Sequence, residues 1–139
     1  MAETRILLVD DVALWRQRVR SIIEAQPGLR VVGEASDGLA ALQKAEELKP
    51  DLILLDISLP KLNGLEAEHR LYELVPSAKL LFLTQNNDAD IVQAALSNGA
   101  QGYVLKTDAG SELLTAIEAV LHGEKFVSSG IKQNDFPTT

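Results

Sequence analysis

A chain of 139 residues, 46% hydrophobic and 24% charged, has the size and composition of one folded domain with its own core. Its net charge of −7 disfavours direct binding to nucleic-acid phosphates or anionic membranes. Cysteine is absent, which excludes disulfides and thiolate-held metal and fits a cytoplasmic setting.

The first apolar run, RILLVD (5–10), predicts a strand that ends at Asp10 and Asp11. Val12, Trp15, Val19, Ile22 and Ile23 then recur at helical spacing until Pro27-Gly28. RVVGEA (30–35) is the second strand, and Asp37-Gly38 opens a helix carrying Leu39, Leu42, Ala45 and Leu48 before Pro50. DLILLDI (51–57) places Asp56 at the end of the third strand. A helix over 65–74 follows the turn signal Asn63-Gly64. AKLLFLT (78–84) is the fourth strand and ends in Thr84; a helix over 89–97 closes at Asn98-Gly99. GYVLK (102–106) is the fifth strand and ends in Lys106, and Leu113, Ile117, Val120 and Leu121 mark the last helix. Residues 124–139 are polar and aperiodic and read as a linker or tail after a domain spanning 1–123. No apolar run of about 18 residues predicts a membrane span, and the N-terminal residues show no secretory signal.

Strands alternating with helices predict an α/β domain with right-handed crossovers. Near-continuous apolar strands suit a parallel sheet covered on both faces. Residues 10, 11, 56, 84 and 106 meet only if the first strand is central. The expected fold is therefore a flavodoxin-like (βα)5 doubly wound parallel sheet of order 2-1-3-4-5.

That order gathers carboxylates, a hydroxyl and an ammonium at one sheet edge. Three crowded carboxylates repel unless a cation is near, and Mg²⁺, a hard ion that keeps positions for water and phosphate oxygens, is the natural choice. A carboxylate can also attack phosphorus to form an acyl phosphate, with the developing charge met by a cation, an ammonium and a hydroxyl. Asp56 fits the nucleophile. Each residue also has a plainer reading: Asp10-Asp11 as a capping pair, Thr84 as a strand end, Tyr103 and Trp15 as packing. His69 and His122 stand apart on helices and carry no expected role.

LLVDD (7–11), DLILLDISLPKLNG (51–64), LFLT (81–84) and GYVLK (102–106) together resemble the receiver domain of two-component response regulators, over residues 5 to about 123. GEASDGLAAL (33–42) and AQGYVLKTDAGSELLTAIEAVLHGEKFVSSG (100–130) are similar to the NarL/FixJ-like branch, whose receivers precede a LuxR-type helix-turn-helix. The resemblance implies a Mg²⁺-dependent switch phosphorylated by a histidine kinase. It implies Asp56 as phosphoacceptor, Asp10 and Asp11 as the acidic pair at the metal, and the Ser58 backbone carbonyl as a further metal ligand. It also implies Thr84 and Lys106 as the residues that read the phosphoryl group, and Tyr103 as the aromatic switch. Such a domain catalyses its own phosphorylation and dephosphorylation without being a turnover enzyme. Its output face is formed by the fourth helix, fifth strand and fifth helix and supports homodimer formation. DNA is contacted only through a C-terminal effector absent from these residues. A stand-alone or degenerate receiver acting as a protein-binding module is the alternative.

Two residues depart from the family pattern. Thr107 stands where proline often follows the lysine, and a cis bond before a non-proline residue costs about 3 kcal/mol. Gln85 stands where a small residue is usual and is expected, with Ser58 and Asn86, to tune the lifetime of an acyl phosphate. A dehalogenase-type phosphatase is disfavoured because Ile57-Ser58-Leu59 follows Asp56 in place of a DxDx[TV] loop. A dinucleotide-binding module is disfavoured because no GxGxxG follows the first strand.

Overall fold

The structure, a computed structural model, describes residues 3–131. The chain runs β1 (Thr4–Val9), α1 (Ala13–Glu24), β2 (Leu29–Ala35), α2 (Gly38–Leu48), β3 (Leu52–Leu55), α3 (Gly64–Leu74), β4 (Lys79–Thr84), α4 (Ala89–Ser97), β5 (Gly102–Leu105), α5 (Ala109–Leu121) and β6 (Phe126–Val127). All strand pairs are parallel, in the order β2-β1-β3-β4-β5-β6. The five strands read from the sequence are present in the expected order.

Alternation along each strand sends side chains to two opposite cores. Leu7, Val9, Ile53, Leu55, Leu80 and Phe82 pack with Ala41, Ala45, Ala67, Leu71, Val92 and Ala95, so α2, α3 and α4 cover one face. Ile6, Leu8, Leu52, Leu54, Leu81 and Val104 pack with Val19, Ile23, Leu113, Ile117 and Val120, so α1 and α5 cover the other. β3 and β5 are consequently buried along their whole length.

Three of the five helices, α2, α3 and α4, start where short polar side chains satisfy free amides. Asp37 accepts from the Ala40 amide at 2.7 Å, and Asp88 accepts from Asp90 and Ile91. At α3, Asn63 accepts from the Glu66 amide while its own side-chain amide donates to the Glu66 carboxylate, a reciprocal cap. Gly64 permits a close approach there: a Cβ on it would lie 2.2 Å from the Asp56 carbonyl oxygen. The start of α3 can thus pack directly on the end of β3.

The structure departs from the sequence reading beyond residue 123. Phe126 and Val127 add a sixth strand along the outer edge of β5. The Ser128 amide donates to the Tyr103 carbonyl at 2.9 Å, and its hydroxyl donates to the Asp108 carboxylate. Ser129 donates to Glu112, the Gly130 amide donates to Asp108 at 3.0 Å, and Ile131 is buried in the core on the face covered by α2, α3 and α4. The start of the expected linker is therefore a strap fastened to the domain along the outer edge of β5. Two apolar residues among polar neighbours are too short a run to announce a strand. The remainder of the expected tail, 132–139, lies outside the described residues. No helix among the described residues is long and apolar enough to cross a membrane.

Candidate functional site

Parallel strands place Asp10, Asp56, Thr84 and Lys106 on one edge of the sheet, with β1 central where the strand order reverses. The Asp56 amide donates to the Val9 carbonyl at 3.1 Å, and the Asp10 amide donates to the Ala35 carbonyl at 3.1 Å. The ladder therefore extends one residue past β1 and β3 and fixes the backbone of both carboxylates.

Lys106 joins them. Its Nζ donates to Asp10 Oδ2 at 2.7 Å and to Asp56 Oδ2 at 3.0 Å, and all three residues are buried. The other Asp56 oxygen, Oδ1, accepts from the Ile57 amide at 2.7 Å, with the Ser58 amide at 3.4 Å. Asp10 Oδ1 accepts from the Val12 amide at 2.9 Å, so Asp10 also shapes the turn into α1, as the capping reading allowed. Burial pulls the Lys106 ammonium toward neutrality, but its bonds to Asp10 and Asp56 outweigh this and hold its pKa above the ordinary lysine value.

Asp11 is exposed beside this pair. Oxygens of Asp10, Asp11 and Asp56 lie within 4.8 Å of one another. Three carboxylates and one ammonium leave two negative charges at the cluster, and Asp11 has no basic partner among the described residues. Hard oxygen donors with an uncompensated charge of that size fit a divalent cation such as Mg²⁺.

Thr84 and Tyr103 converge on a different residue. The Thr84 hydroxyl oxygen accepts from the Asn86 amide at 3.2 Å, and the Tyr103 hydroxyl donates to the Asn86 carbonyl at 2.6 Å. Among the described residues neither side chain bonds to Asp56. Ser58 and Gln85 are exposed at the rim. The peptide bond between Lys106 and Thr107 is trans, and Lys106–Asp108 form a short 3-10 turn leading into α5.

Two neighbours were not legible as site residues. Arg16 donates to the Asp10 carbonyl at 2.5 Å and pairs with Glu34 at 2.8 Å, which ties the turn after β1 to β2. Trp15, read as packing, faces Lys106 with its ring centroid 5.1 Å from Nζ. The helical stripe signalled that Trp15 turns inward; nothing in the spacing of residues 15 and 106 signalled their contact.

Residues 6–118 match the model of the response regulator receiver domain family. The chain belongs to this family. The receiver is 40% identical over 126 residues to the nitrate/nitrite response regulator protein NarL of Escherichia coli, covering 91% of this chain and 58% of that protein. It is 35% identical over 130 residues to the transcriptional regulatory protein DegU of Brevibacillus brevis, covering 94% of this chain and 55% of DegU. Among solved structures it is similar to a two-component response regulator of the LuxR family from Aurantimonas sp., with 36% identity, a TM-score of 0.88, and coverage of 94% and 93% of the two chains. The receiver thus spans a little over half the length of the curated relatives it matches.

Proposed function

We propose that this receiver is a phosphorylation-controlled switch in which a histidine kinase supplies the phosphoryl group and Asp56 accepts it. The observation that carries the reading is the buried Lys106 ammonium bound to both Asp10 and Asp56 at the edge where three carboxylates converge. Asp10, Asp11 and Asp56, with the Ser58 backbone carbonyl, would hold Mg²⁺, which supplies charge neutralisation for a transferring phosphoryl group.

A carboxylate oxygen of Asp56 attacks phosphorus as the bond from phosphorus to the donor's imidazole nitrogen breaks, and the imidazole leaves with the bonding pair. Lys106 exchanges its bond to Asp56 for one to a phosphoryl oxygen and retains Asp10 as a counter-ion. The Thr84 hydroxyl turns from Asn86 toward the phosphoryl group, and Tyr103, bonded to the same Asn86, follows. Attack of water on phosphorus later restores the Asp56 carboxylate and releases phosphate; exposed Ser58 and Gln85, with half-buried Asn86, govern its access at the rim. The altered surface spans α4, β5 and α5 with the strap over β5, and it controls an effector or pairing with a second copy. Given the −7 charge, contact with DNA is assigned to a domain outside these residues.

The test is incubation with acetyl phosphate and Mg²⁺ followed by intact mass. One phosphoryl group is expected on the wild type and none on Asp56→Asn. Full labelling of that variant would refute the assignment, and no adduct on the wild type would favour a protein-binding module.

A further inference from the structure

Lys106 has three N–H donors and two carboxylate partners. The third direction is covered by Trp15, the chain's single tryptophan, whose ring centroid is 5.1 Å from Nζ. Arg18 stands at 5.4 Å from the same ring, on the exposed side of α1. The indole is half-buried, set in the first turn of α1, and its helix is fastened by Arg16 to Asp10 and Glu34. An aromatic face attracts an ammonium without removing its proton and keeps water from the same side. A lysine held in this way has few alternative rotamers, and its charge stays aimed at the carboxylates.

We infer that Trp15 is a positioning residue for Lys106: its indole face holds the ammonium against Asp10 and Asp56 and thereby sets the rate at which Asp56 gains a phosphoryl group. The part concerning rate rests on the phosphoacceptor reading above; the part concerning position does not. The flat face of the ring is the operative feature, so phenylalanine preserves much of the effect, whereas leucine or methionine fills space without supplying a face.

Two measurements test this. With lysine-selective ¹³C labelling, the Lys106 ε-methylene resonance, identified by its loss in Lys106→Arg, is expected to lie upfield of the other lysines because of the indole ring current. It should remain displaced in Trp15→Phe and move to the common lysine position in Trp15→Leu and Trp15→Met, the latter serving if leucine does not fold. A resonance that ignores removal of the ring overturns the inference, whether or not the protein takes a phosphoryl group. Phosphorylation by acetyl phosphate is expected to slow about three- to tenfold in the ringless variants and to stay near the wild-type rate in Trp15→Phe. Equal slowing in all three variants, or no slowing in any, also overturns it. A wild type that forms no acyl phosphate would defeat the phosphoacceptor reading, with the resonance still deciding the role of Trp15.

Discussion

The hydroxyl of Tyr103 donates to the backbone carbonyl of Asn86 at 2.6 Å, across the gap between β5 and the loop that enters α4. Its ring is buried, 5.9 Å from Phe82 and tilted by 43°. Burial, reinforced by the charges of Asp56 and Asp88, keeps the phenol protonated well above the ordinary tyrosine range. The phenol therefore stays a hydrogen-bond donor through the pH range where an ordinary tyrosine begins to ionise. Tyr103→Phe is expected to cost about 1 kcal/mol in urea denaturation. Amide exchange around Asn86 should accelerate, as it should in Thr84→Val, because both side chains hold that one residue. Wild-type exchange in both variants would show that the loop is held by other contacts.

Lys106 separates two buried carboxylates, so its removal should be costly in a way that a cation can repair. Lys106→Met without divalent cations is expected to lose about 3–5 kcal/mol, the usual penalty for stranding buried charges. Magnesium should restore part of this loss and should stabilise the variant more than the wild type, since it then carries the whole neutralising burden. Asp11→Ala should weaken the magnesium response in either background. Urea midpoints measured in EDTA and in magnesium decide it; a variant indifferent to magnesium would argue against a cation at the cluster.

Glu68, on α3, is fully buried, with Oε2 accepting from Tyr72 at 2.9 Å and Oε1 lacking a hydrogen-bond partner among the described residues. Burial pushes its pKa up to about 7, against only partial relief from Tyr72, the Ala100 backbone and the Asn98 side chain. The folded state thus binds a proton more tightly than the unfolded state, and stability falls as pH rises from about 4.5 to about 7. Glu68→Gln, which is always neutral, should match the wild type near pH 4 and exceed it at pH 8 by about 1–3 kcal/mol. Thermal melts of both proteins across that range provide the check, and parallel pH profiles would count against the titration.

Gly64 and Gly110 should respond oppositely to alanine. At Gly64 the new methyl meets Asp56 and Ile57 backbone atoms, the latter at 2.7 Å from its Cα, so α3 must retreat from the strand that carries Asp56. A loss of about 1–3 kcal/mol and slower phosphorylation are expected. Around Gly110 nothing lies within 4 Å, and alanine should gain about 0.5 kcal/mol. Chemical denaturation and acetyl phosphate kinetics on the two variants test the contrast.

Strands ending in Asp10, Asp56, Thr84 and Lys106 were legible because each is an apolar run closed by a polar residue, a pattern that survives without knowledge of neighbours. Their convergence followed from strand order alone. The contacts that remained hidden cross between elements or lack a repeat. Trp15 over Lys106 depends on how α1 leans on the sheet edge. Glu68 sits in a stretch, EAEHR, whose charges suggest a solvated face, yet the helix turns this one carboxylate inward. Phe126 and Val127 form a strand because β5 offers an open edge, a property of the partner strand rather than of their own two residues.

Tyr103 has a second connection through its backbone carbonyl, which receives the Ser128 amide at 2.9 Å. Its side chain therefore pulls on the approach to α4 while its main chain grips the path by which the polypeptide leaves the sheet. Close-packed strands transmit small displacements with little compliance. Residues 128–130 are bonded in turn to Tyr103, Glu112 and Asp108, so a slide of β5 would be passed along the strap toward residue 131. The strap is in this sense a pointer mounted on the same strand that leads into Lys106.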